Sequence, residues 1–236
     1  MFYLLRFYKK EIAKAKAAGK PASSYWSYYG RWKKYLTNHN DSLKNELPWI
    51  TFPVTDFLND WIKKEYRVLE YGGGSSSIYF SRRAGEVITV EHHDGWFKDI
   101  SKVIADKGIT NWRGLMYSPE LGTPYGNDIS NPLHYVSDDP DSVGKNYKAY
   151  ASAINQFSDG YFDLVLVDGR VRPSCMYHAI PKIRKGGLLI LDNSDRDYYH
   201  TQMHNRIASD FETVIDCIAP SVYSHEFTST TVWRKK

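Results

Sequence analysis

The chain has 236 residues, 42% hydrophobic and 25% charged, with a net charge of +4. That balance suits one large globular domain, or one domain with an attached segment, and excludes a disordered or fibrous chain. The charge is too small to argue for a nucleic-acid partner, two cysteines make no disulfide framework, and no apolar run reaches membrane-spanning length.

Residues 1–47 read as a basic, aromatic lead segment. Helices are expected over 2–18 and 24–36, broken by Gly19-Lys20-Pro21. Tyr25, Trp26, Tyr28, Tyr29, Trp32 and Tyr35 surround the second helix. They predict a helical lid whose rings pack on the main domain, with ligand, nucleic-acid or partner-protein contact as alternatives, including a homodimer contact. Met1–Leu5 is apolar but Lys9 and Lys10 follow closely, which fits no signal peptide, so a cytoplasmic protein is expected. Cys175 and Cys217 lie in apolar or helical contexts and are expected to be buried free thiols.

An extended connector over 48–53 leads to a helix over 54–64, where Phe57, Leu58, Trp61 and Ile62 recur at helical spacing. Strands are expected over 67–71, 87–91, 112–117, 162–167 and 188–191. Helices are expected between them over 75–83, 96–107, 147–156 and 175–183, with one more over 199–210. Two last strands, over 211–217 and 228–234, have no helix between them and should pair as an antiparallel hairpin at one edge. Strand–helix alternation predicts an α/β fold: a mostly parallel seven-stranded sheet with helices on both faces, plus the N-terminal helical extension. The expected division is an extension over 1–47 and a main domain over 48–236. Residues 118–146 are rich in Pro, Gly, Asp, Ser and Asn, and leave the carboxyl end of the third strand. A loop of that length there predicts a cover for a substrate, with a variable insertion as the alternative.

The densest chemistry lies in Glu70-Tyr71-Gly72-Gly73-Gly74-Ser75-Ser76-Ser77. A strand ends in an acid, glycines follow, and hydroxyl residues open a helix. Glycine lets the backbone turn tightly and lets a ligand approach it, and turns at this place bind nucleotide-like cofactors in α/β sheets. Glu91 ends the next strand, 19 residues after Gly72, where an acid can hold both hydroxyls of a ribose. The G-x-G-x-x-G dinucleotide fingerprint fails, because Ser77 stands where the third glycine belongs, and Glu70 has no role in it.

These segments resemble the first two motifs of class I S-adenosylmethionine-dependent methyltransferases. Phe162-Asp163-Leu164-Val165-Leu166-Val167-Asp168-Gly169 resembles their fourth strand, and Gly186-Gly187-Leu188-Leu189-Ile190-Leu191-Asp192-Asn193 their fifth. The resemblance covers about residues 50–236 and implies a Rossmann-like fold with S-adenosylmethionine as cofactor. It implies that Glu70, Gly72, Gly73, Gly74 and Ser75 hold the methionine portion, Glu91 the ribose, and Tyr117, Ser118, His92 and His93 the adenosine. It places Asp168 beside the sulfonium, as proton acceptor or orienting group for an acceptor hydroxyl. Arg170 and Arg172 could hold an anion on the acceptor or pair with acids of the same fold. Asp168, Asp192 and Asn193 resemble the oxygen ligands of magnesium-dependent catechol-type O-methyltransferases, which keeps a divalent cation open and gives Asp192 a catalytic role. Gly169-Arg170-Val171-Arg172 departs from that branch, and no metal ligand set is assigned. Asp195, Arg196 and Asp197 could line the acceptor pocket or cap the next helix. The function implied is O-methylation of a small molecule or glycan component. The alternatives are the catechol-type enzyme, a nucleic-acid methyltransferase and a non-catalytic interaction module of the same fold.

Overall fold

The structure, a computed structural model, describes residues 2–36, 42–122 and 125–236. Met1, the lead-segment residues 37–41 and the loop residues 123–124 lie outside the described residues. One sheet is built from β1 (Arg67–Tyr71), β2 (Glu86–Glu91), β3 (Trp112–Met116), β4 (Phe162–Val167), β5 (Ile183–Asp192), β6 (Phe211–Ala219) and β7 (Thr228–Lys235). Their order is β3-β2-β1-β4-β5-β7-β6. The first five strands run parallel, and β7 is antiparallel to both β5 and β6. The expected closing hairpin is there, with its second strand inserted inside the first.

Alternation along the strands explains why both faces are covered. Val68, Leu164, Leu166, Leu188 and Ile190 face one hydrophobic core, while Leu69, Tyr71, Val165, Val167, Leu189 and Leu191 face another. Central strands apolar on both sides need a layer of helix on each. The first core is capped by α1 (Phe2–Ala17), α2 (Tyr29–Tyr35) and α4 (Phe52–Trp61), after a short α3 (Ser42–Asn45). The second is capped by α7 (Lys148–Ser152), α8 (Arg172–Lys182) and α9 (His204–Asp210). α5 (Ser75–Ser81) and α6 (Asp94–Asp106) meet in a smaller cluster through Ile78, Ile100 and Ile104.

Several boundaries differ from expectation for identifiable reasons. The second lead-segment helix starts as a 3₁₀ turn at Ser23–Tyr28 and becomes α-helical only at Tyr29. α4 begins at Phe52 rather than 54, because Pro53 suits the first turn of a helix. β5 begins at Ile183, and a register shift against β4 absorbs the Gly186-Gly187 turn without ending the strand. The helix expected over 147–156 finishes as a 3₁₀ turn, Ala153–Gln156, and the one over 199–210 is preceded by two such turns.

The lead segment shares the first core. Tyr8 is fully buried, with the rings of Trp32, Phe227, Tyr29 and Trp26 centred 4.9, 5.0, 5.1 and 5.6 Å away. Glu11 Oε2 accepts the Phe227 amide at 3.1 Å, and Trp32 Nε1 donates to the Ser224 carbonyl at 2.9 Å. The rings therefore pack against the segment joining β6 to β7. Cys175 and Cys217 are buried and free. Among the described residues no helix is long and apolar enough to cross a membrane.

Candidate functional site

The glycine turn lies at the carboxyl end of β1. Gly72 adopts φ +86°, and a Cβ there would lie 3.0 Å from Gly169 Cα, so the backbone after β4 passes directly against it. A Cβ on Gly73 would lie 2.6 Å from Thr89 Cγ2, so the second glycine is required by close approach to β2. Ser77 Oγ accepts the Gly74 amide at 3.1 Å and donates to Glu70 Oε1, which also takes the Thr89 hydroxyl at 2.6 Å. Glu70 is thus a brace behind the turn. It is completely buried, its Oε2 has no hydrogen-bond partner among the described residues, and burial pushes its carboxyl up to about 7 against the pull of Ser76, Ser77 and Thr89.

Glu91 ends β2 and does the opposite. Its Oε2 accepts the Gly73 amide at 2.9 Å, and its Oε1 accepts the amides of His92 and His93 at 2.7 and 2.9 Å. Burial alone would raise this carboxyl. The His92 ring, 2.9 Å away, and the backbone amides outweigh it and hold the carboxyl below its ordinary value. The group is an anion with three of its roughly four acceptor positions filled by backbone. Trp96 Nε1 donates to the Gly73 carbonyl at 2.7 Å and fixes the indole beside the same turn.

These groups surround a cavity of about 670 Å³, within the range that holds a small-molecule cofactor. Of the residues expected to form the site, Gly72, Gly73, Gly74, Ser75, Glu91, His92, Asp168 and Arg170 line it. His93 and Arg172 line it too. Ser75 turns its hydroxyl away, to the Leu47 carbonyl at 2.5 Å, tying the end of the lead segment to the turn. Not every expected residue is brought in. Glu70 lies behind the turn, Ser118 is exposed on the loop after β3, and Asp192 is buried with its Oδ1 accepting the Thr230 hydroxyl at 2.8 Å. Asp192 points between β5 and β7 because a neighbouring antiparallel strand offers it a hydroxyl there. Tyr117 also stays outside the cavity lining and gives its amide to the Glu91 carbonyl at 2.9 Å.

The structure adds Ser42, Trp49, Ser76 and Trp96 to the lining. Trp96 was findable, since it sits in the first turn of the helix that follows Glu91. Ser42 and Trp49 carry no local signal; they arrive because the end of the lead segment and the connector after it fold back over the turn.

Arg172 organises the strand ends. It donates to the Gly169 carbonyl at 3.0 Å, to Asp168 Oδ1 at 3.0 Å, to the Asp168 carbonyl at 3.2 Å and to the Asp192 carbonyl. Its guanidinium is therefore a clamp across the ends of β4 and β5. Desolvation still raises the Asp168 carboxyl despite Arg172, and raises Asp192 further, where the neighbouring Asp168 charge adds to burial. Asp168 keeps a quarter of its side chain accessible, on the cavity side. Among the described residues no group of three or more His, Cys, Asp or Glu is placed to hold a metal ion. The positive charge beside the two acids is Arg172.

A second, polar cavity of about 490 Å³ shares Gly169, Arg170 and Arg172 with the first. The long loop forms one wall of it through Ile129 and residues 136–140. The loop is pinned in place. A two-residue ladder closes its base, pairing Glu120 with Asn146 and Leu121 with Lys145. Asp139 Oδ2 lies 2.6 Å from Arg170 Nη1, and Tyr135 stacks on His178 of α8 at 5.9 Å.

Sheet order, glycine turn, strand-end acid and closing hairpin can now be set beside known structures. A candidate methyltransferase from Streptococcus mutans, solved in complex with SAH, superposes with a TM-score of 0.53 at 10% identity, covering 77% of this chain and 94% of that one. The fold is that of the class I S-adenosylmethionine-dependent methyltransferases. A methyltransferase-like protein from Silicibacter pomeroyi gives a TM-score of 0.51 at 21% identity, covering 81% of this chain and 91% of that one. A candidate O-methyltransferase from Klebsiella pneumoniae gives 0.51 at 14% identity, covering 98% and 90%. No protein-family model and no curated protein matches the sequence. This methyltransferase fold places the glycine turn and Glu91 at the carboxyl ends of adjacent parallel strands, where open α/β sheets bind ligands.

Proposed function

We propose that the chain is an S-adenosylmethionine-dependent methyltransferase that methylates a hydroxyl of a small molecule or glycan component. The observation that carries this reading is that two cavities adjoin at the same segment. The one formed by the glycine turn, Glu91 and Trp96 shares the Gly169–Arg172 segment with a polar one walled by the long loop.

The residues present suit the cofactor. Gly72 and Gly73 permit the tight turn that forms the cradle, Glu91 keeps about one acceptor position for a ribose hydroxyl, and Trp96 offers an aromatic face. Glu70 acts one layer back, by holding Ser77 and through it the Gly74 amide. When bound, S-adenosylmethionine would supply an electrophilic methyl group for exchange against the proton of an acceptor hydroxyl, and Asp168 would take that proton. Asp168 is suited to that proton because desolvation raises its carboxyl while Arg172 holds it in place. The 1–47 extension stabilises the unit over 48–236 and closes the cofactor cavity through Ser42, beside Trp49 of the connector.

Calorimetric titration with S-adenosylhomocysteine, followed by transfer of labelled methyl to a panel of hydroxyl acceptors, tests the reading. Saturable 1:1 binding and label in an acceptor oxygen are expected. No binding to folded protein overturns it.

A further inference from the structure

The second cavity holds three arginines, and they are not equivalent. Arg170 is paired with Asp139, 2.6 Å away. Arg172 is committed to oxygens of Asp168, Gly169 and Asp192. Arg196 pairs with no carboxylate among the described residues; its Nη1 donates to the Tyr199 hydroxyl at 2.7 Å.

Tyr199 links this free cation to the reacting end of the site. The ring is buried, with the Arg196 guanidinium 5.7 Å and the Arg172 guanidinium 5.1 Å from its centre. Arg172 in turn touches Asp168 at 3.0 Å. The acids flanking Arg196 in sequence, Asp195 and Asp197, line a different cavity. Asp138, which does line this one, accepts the Tyr198 hydroxyl at 3.1 Å. What remains is a solvent-accessible planar fork, positioned by Tyr199 and Tyr198, with N–H donors to spare and no carboxylate partner among the described residues. Such a fork recognises a carboxylate or phosphate by paired hydrogen bonds.

We infer that the methyl acceptor carries an acidic group, a carboxylate or a phosphate monoester on a sugar-sized molecule, and that Arg196 binds this group in the second cavity while a hydroxyl is presented at Asp168. This inference rests on the methyltransferase reading and names the acceptor class of the same site.

The test titrates glucuronate, glucose 6-phosphate and glucose into the full chain saturated with S-adenosylhomocysteine, whose own binding is measured first. At least one acidic sugar should bind at least about tenfold more tightly than glucose. Which acid wins identifies the anionic group. Arg196→Gln should abolish the preference and leave S-adenosylhomocysteine affinity unchanged, while Arg196→Lys should keep part of it. Thermal unfolding confirms that both variants fold. Equal binding of all three sugars overturns the inference, as does binding of no acid, or a preference that survives Arg196→Gln. Failure of S-adenosylhomocysteine to bind sinks the cofactor reading instead; acid binding lost in Arg196→Gln would then still establish the anion site.

Discussion

The carboxylate of Glu91 accepts the amide of Gly73 at 2.9 Å, so the end of β2 is bonded directly to the turn that leaves β1. One acid shapes the glycine turn and also faces the cavity in front of it. Glu91→Ala removes both effects. S-adenosylhomocysteine should bind at least about thirtyfold more weakly, in line with loss of charge-assisted hydrogen bonds. Calorimetry on the folded variant checks this, and unchanged affinity would rule out Glu91 as a cofactor contact.

Glu70 should make stability depend on pH in the opposite sense to a salt-bridged acid. Its carboxyl rises from 4.5 to about 7 on folding, so the folded state binds the proton more tightly. Its contribution is fully present below pH 4.5 and is lost as pH rises towards about 7, amounting to roughly 3 kcal/mol at most. Asp168 and Asp192 shift in the same direction, so the comparison must isolate Glu70. Glu70→Gln keeps the shape and removes the titration. Urea midpoints measured from pH 5 to 8 should fall less steeply with pH in the variant than in the parent.

Asp168→Asn should lower methyl transfer at saturating substrates by about a hundredfold or more, the usual worth of a positioned proton acceptor. S-adenosylhomocysteine affinity should stay within about threefold. If affinity collapses while turnover at saturation persists, Asp168 is a binding residue and not the proton acceptor.

Arg172→Met leaves buried Asp192 and part-buried Asp168 without their shared positive charge. A loss of about 3–5 kcal/mol in chemical denaturation is expected, typical of breaking a buried ion pair. Arg172→Lys should recover little, because a single ammonium cannot reach the Gly169, Asp168 and Asp192 oxygens together.

Because Arg172 already serves as the cation beside Asp168, turnover should be unchanged after exhaustive chelation. A loss restored by magnesium would favour the catechol-type alternative.

The strands and their order of appearance were legible because each is a short apolar run bounded by turn residues; β1 and β4 were read to the residue. The glycine turn and Glu91 were legible for the same reason, since their chemistry depends on spacing along one strand–turn–helix–strand unit. Local order is encoded locally, by backbone preference and by side-chain alternation.

Only the tertiary structure decided which way each polar group faces and what else it meets. Asp192 and Glu70 end strands just as Asp168 and Glu91 do, yet Asp192 is taken up by Thr230 across β7 and Glu70 by Ser77 and Thr89 behind the turn. Arg172 became a clamp, Arg170 the anchor of the long loop, and Arg196 a donor to Tyr199 with no carboxylate partner among the described residues. Ser42 joined the cavity from the far end of the lead segment, and Trp49 from the connector after it. These outcomes depend on partners distant in the chain. A buried charge or hydroxyl takes whichever partner the packing brings within hydrogen-bond reach, and a one-dimensional pattern carries no record of that choice.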